Sequence, residues 1–351
     1  MIAATTSRLA GILLALTLAL SVAAPAPAAA QFRLDLDPAT GAQLPPKPAA
    51  PKPALPSGPD LPNEPFSTAD LLNGTTVGRD ACAARANTVF VQSMGQGFCV
   101  AYYLSGAEAG RVPTVYMPGD SLAPTGVTGK ARVLDGYLGQ TPKLLIDAGR
   151  VWVGRLGTPV IFLGRMGMHG TSGWHANRHS LMEVEIASRA LDAIAARHGF
   201  RGYHLVGQSG GGLIIAGLLA RRADIDCAVV ASAPLDLRGF YRMNRILYRT
   251  TGPIANFDPL SEAGQVARRA RVFAVTDPAD TVAPAATQTP WVPALARAGV
   301  PATQILTPAR DPKHHAIVEK SFFIARDCIA GRPAPDIKRR FEALGPTQFG
   351  E

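Results

Sequence analysis

Beyond its first 30 residues the chain has no apolar run long enough to span a membrane, no repeat of fixed period and no C-x-x-C pair among its four cysteines. It also has no dense basic tract apart from "IKRRF" at 337–341. Each absence removes a class. With no later spanning segment, the mature protein is expected to be soluble. Without a fixed period there is no basis for a repeat architecture. Cysteines so spaced, with no histidine cluster near them, do not suggest a zinc site. The net charge of +9 comes from arginines spread along the chain, and aromatics are 7% of residues. A basic face interleaved with aromatics is therefore missing, and no nucleic-acid partner is expected. Diffuse positive charge permits loose association with an anionic envelope surface and little more.

What is present begins with a three-part leader. Arg8 closes a short polar start, residues 9–22 form the apolar run "LAGILLALTLALSV", and "APAPAAA" ends in an Ala-x-Ala site before Gln31. This pattern predicts a secretory signal peptide over 1–30 and a mature protein that is periplasmic or secreted. Residues 31–76 form a second block. Ten prolines fall between Asp37 and Phe66, which predicts a disordered, semi-rigid tether. In an oxidising compartment Cys82, Cys99, Cys227 and Cys328 are expected to be disulfides. Three pairings exist. The favoured one joins Cys82 to Cys99, which flank an apparent hairpin, and leaves Cys227 for Cys328.

From residue 77 to 340 short apolar strands alternate with helices, and 341–351 reads as a tail. "TVFVQSMGQGFCVAYYLSG" predicts two antiparallel strands, followed by "VPTVYMPGD", "TPVIFLGRMG", "GYHLVGQS", "CAVVASAP", "ARVFAVTD" and "ATQILTPA". Between them "TPKLLIDAGRVWVGRL", "SLMEVEIASRALDAIAARHG", "GGGLIIAGLLARRA" and "TPWVPALARAG" read as helices. Ser180 with Glu183 makes a capping box, and Gly199 suits the left-handed stop. The alternation predicts an α/β fold, with a mainly parallel central sheet, an antiparallel start and helices on both faces. Functional residues in such sheets lie beyond the carboxyl ends of the strands.

One such end is "GQSGG", where Ser209 stands between a strand and a helix in a G-x-S-x-G pattern. Lifting a hydroxyl above the sheet there forces the serine toward positive φ and leaves no room for side chains at Gly207 and Gly211. A serine nucleophile needs a base, and the base needs an orienting carboxylate. Later strand ends supply Asp277 and Asp280 in "DPADTVAP", and His314 and His315 in "HHAI".

These three motifs, in that order, resemble the α/β-hydrolase superfamily, nearest its prolyl-oligopeptidase-like and dienelactone-hydrolase-like branches, over residues 85–332. The resemblance implies Ser209 as nucleophile, Asp280 as the acid and His315 as the base, with Asp277 a turn residue and His314 a loop residue. It implies oxyanion donors at the N–H groups of Gly210 and Asp120. The Asp120 carboxylate then either turns outward to a cationic or hydroxylated substrate group or has no part in binding. Arg165 and Met166, in the glycine-rich "GRMGMHGTSGWH", are expected to line the pocket. His169, His175 and His179 lack a carboxylate or cysteine to complete a metal set, so no metal and no cofactor is expected. Residues 235–265 leave room for a small lid walled by Phe240, Tyr241 and Tyr248. The function implied is cleavage of a small carboxylic ester. A short-peptide substrate for a prolyl-oligopeptidase-type peptidase is a second reading, and a non-catalytic binding protein on the same fold a third.

Overall fold

The structure is a computed structural model that describes residues 63–106, 111–123 and 131–350; the expected signal peptide and most of the proline-rich segment lie outside the described residues. In chain order the elements are α1 (Thr68–Asn73), α2 (Arg79–Ala83), β1 (Thr88–Ser93), β2 (Gln96–Ser105), β3 (Thr114–Met117) and α3 (Pro142–Leu156). Next come β4 (Val160–Leu163), α4 (Leu181–His198), β5 (Tyr203–Gln208), α5 (Gly210–Leu219), β6 (Ile225–Ala231), α6 (Leu237–Met243) and α7 (Pro259–Glu262). The chain closes with β7 (Arg271–Thr276), α8 (Ala285–Gln288), α9 (Trp291–Arg297), β8 (Ala302–Leu306), α10 (Val318–Ile329) and α11 (Ala334–Glu342).

The eight strands form one sheet in the order β1-β2-β4-β3-β5-β6-β7-β8. β1, β2 and β4 pair antiparallel, and every later pair is parallel. Alternating side chains feed two cores. Val115, Met117, Leu205 and Val230 pack with α4, α5 and α9, whereas Tyr116, Val206, Val229 and Phe273 pack with α3, α10 and α11. Burial on both faces explains why these strands read as continuous apolar runs. On the second face Trp152 of α3 stacks on Phe322 of α10, with ring centroids 4.3 Å apart.

Local chemistry sets the helix ends. Thr141 accepts the Leu144 N–H ahead of Pro142, and Gly157 closes α3 in the left-handed region. Ser180 Oγ accepts the Glu183 N–H, and Gly199 ends α4 the same way. The expected capping box is completed differently. The Glu183 carboxylate accepts from His179 N–H at 2.7 Å, one residue before the cap, and from Arg165 at 2.9 Å.

Described residues of both segments expected to flank the domain pack against it. The segment read as tether up to 76 carries α1, whose Leu71 is fully buried against Leu122, Tyr137 and Met168, with Phe66 packed beside them. Backbone bonds hold these residues as well, from the Phe66 N–H to the Gln140 carbonyl at 2.9 Å and in both directions between Thr75 and Gly173. At the other end Phe341 is fully buried, and the Gly350 carbonyl accepts from Arg326 and Arg340, so 341–350 packs on the domain. α11 also lies along β8, where Lys338 donates to the Gln304 carbonyl at 2.8 Å and Glu342 accepts the Leu306 N–H at 2.9 Å.

The disulfides are Cys82–Cys99, joining α2 to β2, and Cys227–Cys328, joining the start of β6 to the end of α10. Both fit a protein of an oxidising compartment. No helix among the described residues is long and apolar enough to cross a membrane. Cys227–Cys328 closes a loop of 101 residues. Replacing both cysteines by serine is therefore expected to cost about 2–5 kcal/mol of unfolding free energy. The readout is the denaturant midpoint under non-reducing conditions, and an unchanged midpoint contradicts the expectation.

Candidate active site

Ser209 follows β5 with φ 55° and ψ −127°, a backbone that an L-residue holds only where its surroundings force it. Space around it is absent. A Cβ on Gly207 would lie 2.8 Å from the Gly211 carbonyl carbon, and one on Gly211 would overlap the Met117 and Pro118 carbonyls. A Cβ on Gly119 would stand 3.2 Å from Ser209 Cβ and 3.8 Å from its Oγ. The loop after β3 therefore crosses directly over the serine. Gly210 opens α5, so its N–H is one of the unpaired first-turn donors. The Asp120 N–H has no backbone acceptor among the described residues.

The acid and base candidates meet beyond β7 and β8. Asp280 has a buried carboxylate that accepts from Val282 N–H at 2.8 Å, Ala283 N–H at 2.9 Å and Gln288 Nε2 at 3.1 Å. His315 Nδ1 stands 2.9 Å from Asp280 Oδ2. A carboxylate accepts there, so Nδ1 carries the hydrogen and Nε2 is left as the basic nitrogen. The neighbouring pair is parallel to it. His314 Nδ1 lies 3.0 Å from Asp277 Oδ2, and Asp277 also accepts from Ala309 and Ala279 N–H groups. His314 is 44% exposed and His315 8%, so the inner position belongs to His315.

Residues with no recognisable pattern complete the loop. Asp311 Oδ1 accepts from His315 N–H at 2.7 Å and Ala316 N–H at 2.6 Å, and Oδ2 from Lys313 N–H. Burial would raise its carboxyl, but these three bonds hold it below the ordinary value. Gln208, beside the serine, donates to the His315 carbonyl at 3.1 Å and accepts the Ile317 N–H at 3.2 Å. An Asp followed by Pro is a turn signal that could have drawn attention to Asp311; nothing local marks Gln208 or Gln288.

Asp120 does not turn out toward a substrate group. Its carboxylate turns inward, 2.8 Å from Arg165 Nη1, 3.0 Å from Arg178 Nε and 2.9 Å from His179 Nε2. Burial alone would raise its pKa, yet the charges of His179, Arg165 and Arg178 hold it well below the usual carboxylate range. Arg165 and Met166 do not line an open pocket. Arg165 is almost fully buried between Asp120 and Glu183, and Met166 is 2% exposed in the core. The physical reason is charge: a guanidinium with two carboxylates in reach is held in the interior.

The three histidines that invite a metal are all hydrogen-bonded within the protein. His175 Nδ1 faces the Met166 carbonyl at 3.1 Å while Nε2 accepts the Ser121 N–H. Burial and the nearby Arg165 push its pKa well down, leaving it neutral. His169 is pushed down to about 3 by burial and contacts Gln140 at 2.6 Å. His179 Nδ1 contacts the buried Tyr241 hydroxyl at 3.0 Å. No group of three or more ligating side chains is assembled among the described residues. Of the lid aromatics, Tyr241 is buried and Phe240 and Tyr248 are partly so, and Leu247 and Met243 are left 82% and 55% exposed.

Neither a protein-family model nor a curated protein sequence matches the chain. Solved structures do. An esterase of Pyrococcus furiosus, Pf2001, aligns with a TM-score of 0.50 at 10% identity, over 74% of this chain and 97% of that one. Est1E of Butyrivibrio proteoclasticus, solved with ferulic acid, aligns at 0.49 and 12% identity, over 70% and 98%. An acylaminoacyl peptidase of Pyrococcus horikoshii aligns at 0.46 and 12% identity, over 75% and 42%. The chain thus spans about two fifths of the length of that peptidase. The likeness to Pf2001 shows that the fold is that of the α/β hydrolases.

Asp120→Asn leaves Arg165 and Arg178 one charge short of balance and is expected to cost about 1–3 kcal/mol at neutral pH. Because the folded carboxyl titrates low, its contribution is complete above the unfolded value of about 3.9 and is lost as pH falls through the folded one. The stability gap between wild type and variant should accordingly narrow below about pH 4. Denaturant midpoints measured across that range check it, and a gap that does not change with pH contradicts it.

Proposed function

We propose that this chain, built on the α/β-hydrolase fold, is an exported serine hydrolase that cleaves carboxylic esters by acyl transfer. What supports the reading most is the conjunction of a strained Ser209 under the oxyanion loop with a buried His315–Asp280 pair, tied to the same elbow through Gln208. Ser209 Oγ attacks the ester carbonyl carbon as His315 Nε2 takes its proton. The carbonyl oxygen becomes an oxyanion facing the Gly210 and Asp120 N–H groups, whose preorganised dipoles favour it. His315 then gives the proton to the departing alkoxide, leaving an acyl-Ser209. Water, deprotonated by His315, adds to the acyl carbon, and collapse returns the proton to Ser209 and releases the acid. Asp280 holds the imidazole in the tautomer that leaves Nε2 free and stabilises the imidazolium.

Ester substrates fit the lid. Between β6 and α7 there is one short helix, α6, which ends at exposed Met243 with exposed Leu247 beyond it, and a segment this short favours a small ester over a substrate that needs a large cap. The two disulfides and the apolar run at 9–22 support export.

Ser209→Ala is expected to lower turnover of short p-nitrophenyl esters by roughly 10⁴–10⁶-fold and to abolish labelling by a fluorophosphonate probe. His315→Ala should act alike, whereas His314→Ala should stay near the wild-type rate. Labelling that persists without Ser209 would overturn the assignment.

A further inference from the structure

The acyl-transfer scheme assigns nothing to the second residue of the elbow pentapeptide. We propose that Gln208 is a positioning residue that sets where the base stands relative to the nucleophile; the inference rests on the reading of Ser209 and His315 given above. The Gln208 side chain is buried, and its carboxamide is used at both ends, by residues 107 and 109 positions away. Nε2 donates to the carbonyl of His315 itself at 3.1 Å, and Oε1 accepts the Ile317 N–H at 3.2 Å. The two bonds straddle Ala316, so they fix both the height and the tilt of the peptide that carries the imidazole.

The other hydrogen bonds of this loop do not do the same. Asp311 binds His315 and Ala316 N–H groups, but it belongs to the loop and shapes it without attaching it to the sheet. Thr281 N–H and Oγ1 both donate to the Lys313 carbonyl, and Asp280 holds His315 Nδ1. Both link the loop to the turn after β7. Among the hydrogen bonds of the described residues, Gln208 is what links it to β5, the strand that delivers Ser209. β5 is a rigid reference, paired with β3 through Met117 and Gly207 and with β6 through Gln208 and Ala231. Ser209, with φ 55° and Gly119 packed against its side chain, is not free to follow a displaced imidazole. A misplacement of about 1 Å costs on the order of 10²-fold in rate.

The test is steady-state turnover of a short p-nitrophenyl ester by the full chain, with fluorophosphonate labelling rate and thermal melting in parallel. Gln208→Met keeps the length and removes both bonds. The expected result is a fall in kcat of about 10²-fold with KM little changed and labelling slowed in parallel, as for an interaction realised in the transition state. Gln208→Glu is the second variant and covers the case in which the first does not fold. Its carboxylate faces the His315 carbonyl with no hydrogen to donate, and protonation restores one donor and one acceptor. Its kcat relative to wild type should rise toward one as pH is lowered and the introduced carboxyl takes up a proton, with His315, Asp280 and Asp311 the ionisable groups of the loops it meets. A kcat for Gln208→Met close to wild type, a change confined to KM, or a Gln208→Glu ratio that does not vary with pH would overturn the proposal. A wild type that neither turns over esters nor takes the label would remove the acyl-transfer reading, and this inference with it. An active wild type with an unaffected Gln208→Met removes the inference alone.

Discussion

Between the end of β3 and the start of α5 the backbones run in contact, to the point that a Cβ on Gly211 would overlap the carbonyls of Met117 and Pro118. That contact governs the site. The sheet order places β3 beside β5 although β4 comes between them in the chain, so the loops after these strands face each other across the point where the strand order reverses. Ser209 stands on one side and Asp120 on the other. Neither loop can relax without the other, which is how a serine backbone of φ 55° is held against its strain.

The same crowding creates an electrostatic difficulty. The Asp120 carboxylate lies so close to Gly210 that a Cβ there would overlap it, and on the proposed acyl-transfer reading an oxyanion at the Gly210 N–H would be repelled by a bare carboxylate. Arg165 and Arg178 offset it, and Glu183 in turn balances Arg165. Two guanidiniums against two carboxylates leave these four residues neutral as a group. His175, kept neutral, holds Ser121 from below. His175 thus acts as a hydrogen-bond fixture of this loop's backbone.

Much of the architecture was legible in the sequence because its causes are local. The strand-turn-helix context of Ser209, the αL stop at Gly199 and the doubly buried strands all depend on residues within a few positions of one another. Of the three possible cysteine pairings, the apparent hairpin favoured Cys82 with Cys99 without fixing it, and that is the pair present. What escaped depends on distant partners. Arg165 reads as a pocket residue until Glu183 and Asp120 are seen beside it, and Met166 until the core closes over it. The capping box was half legible: Ser180 caps as expected, but tertiary pairing with Arg165 diverts Glu183. Prolines masked the anchors Phe66 and Leu71, and the basic "IKRRF" hid that Ile337 and Phe341 face the second core. The bonds of Gln208 span more than a hundred residues, a separation that no local pattern encodes.

α11, which closes the domain and runs into the segment read as a tail, has a consequence for how molecules of this protein meet. β8 is the last strand of the sheet, and such a margin ordinarily offers its unpaired amides and carbonyls to any extended chain that drifts past. Lys338 and Glu342 of α11 occupy the Gln304 carbonyl and the Leu306 amide. Two molecules meeting at this rim would find these two main-chain groups already taken, which hinders one sheet from continuing into the next.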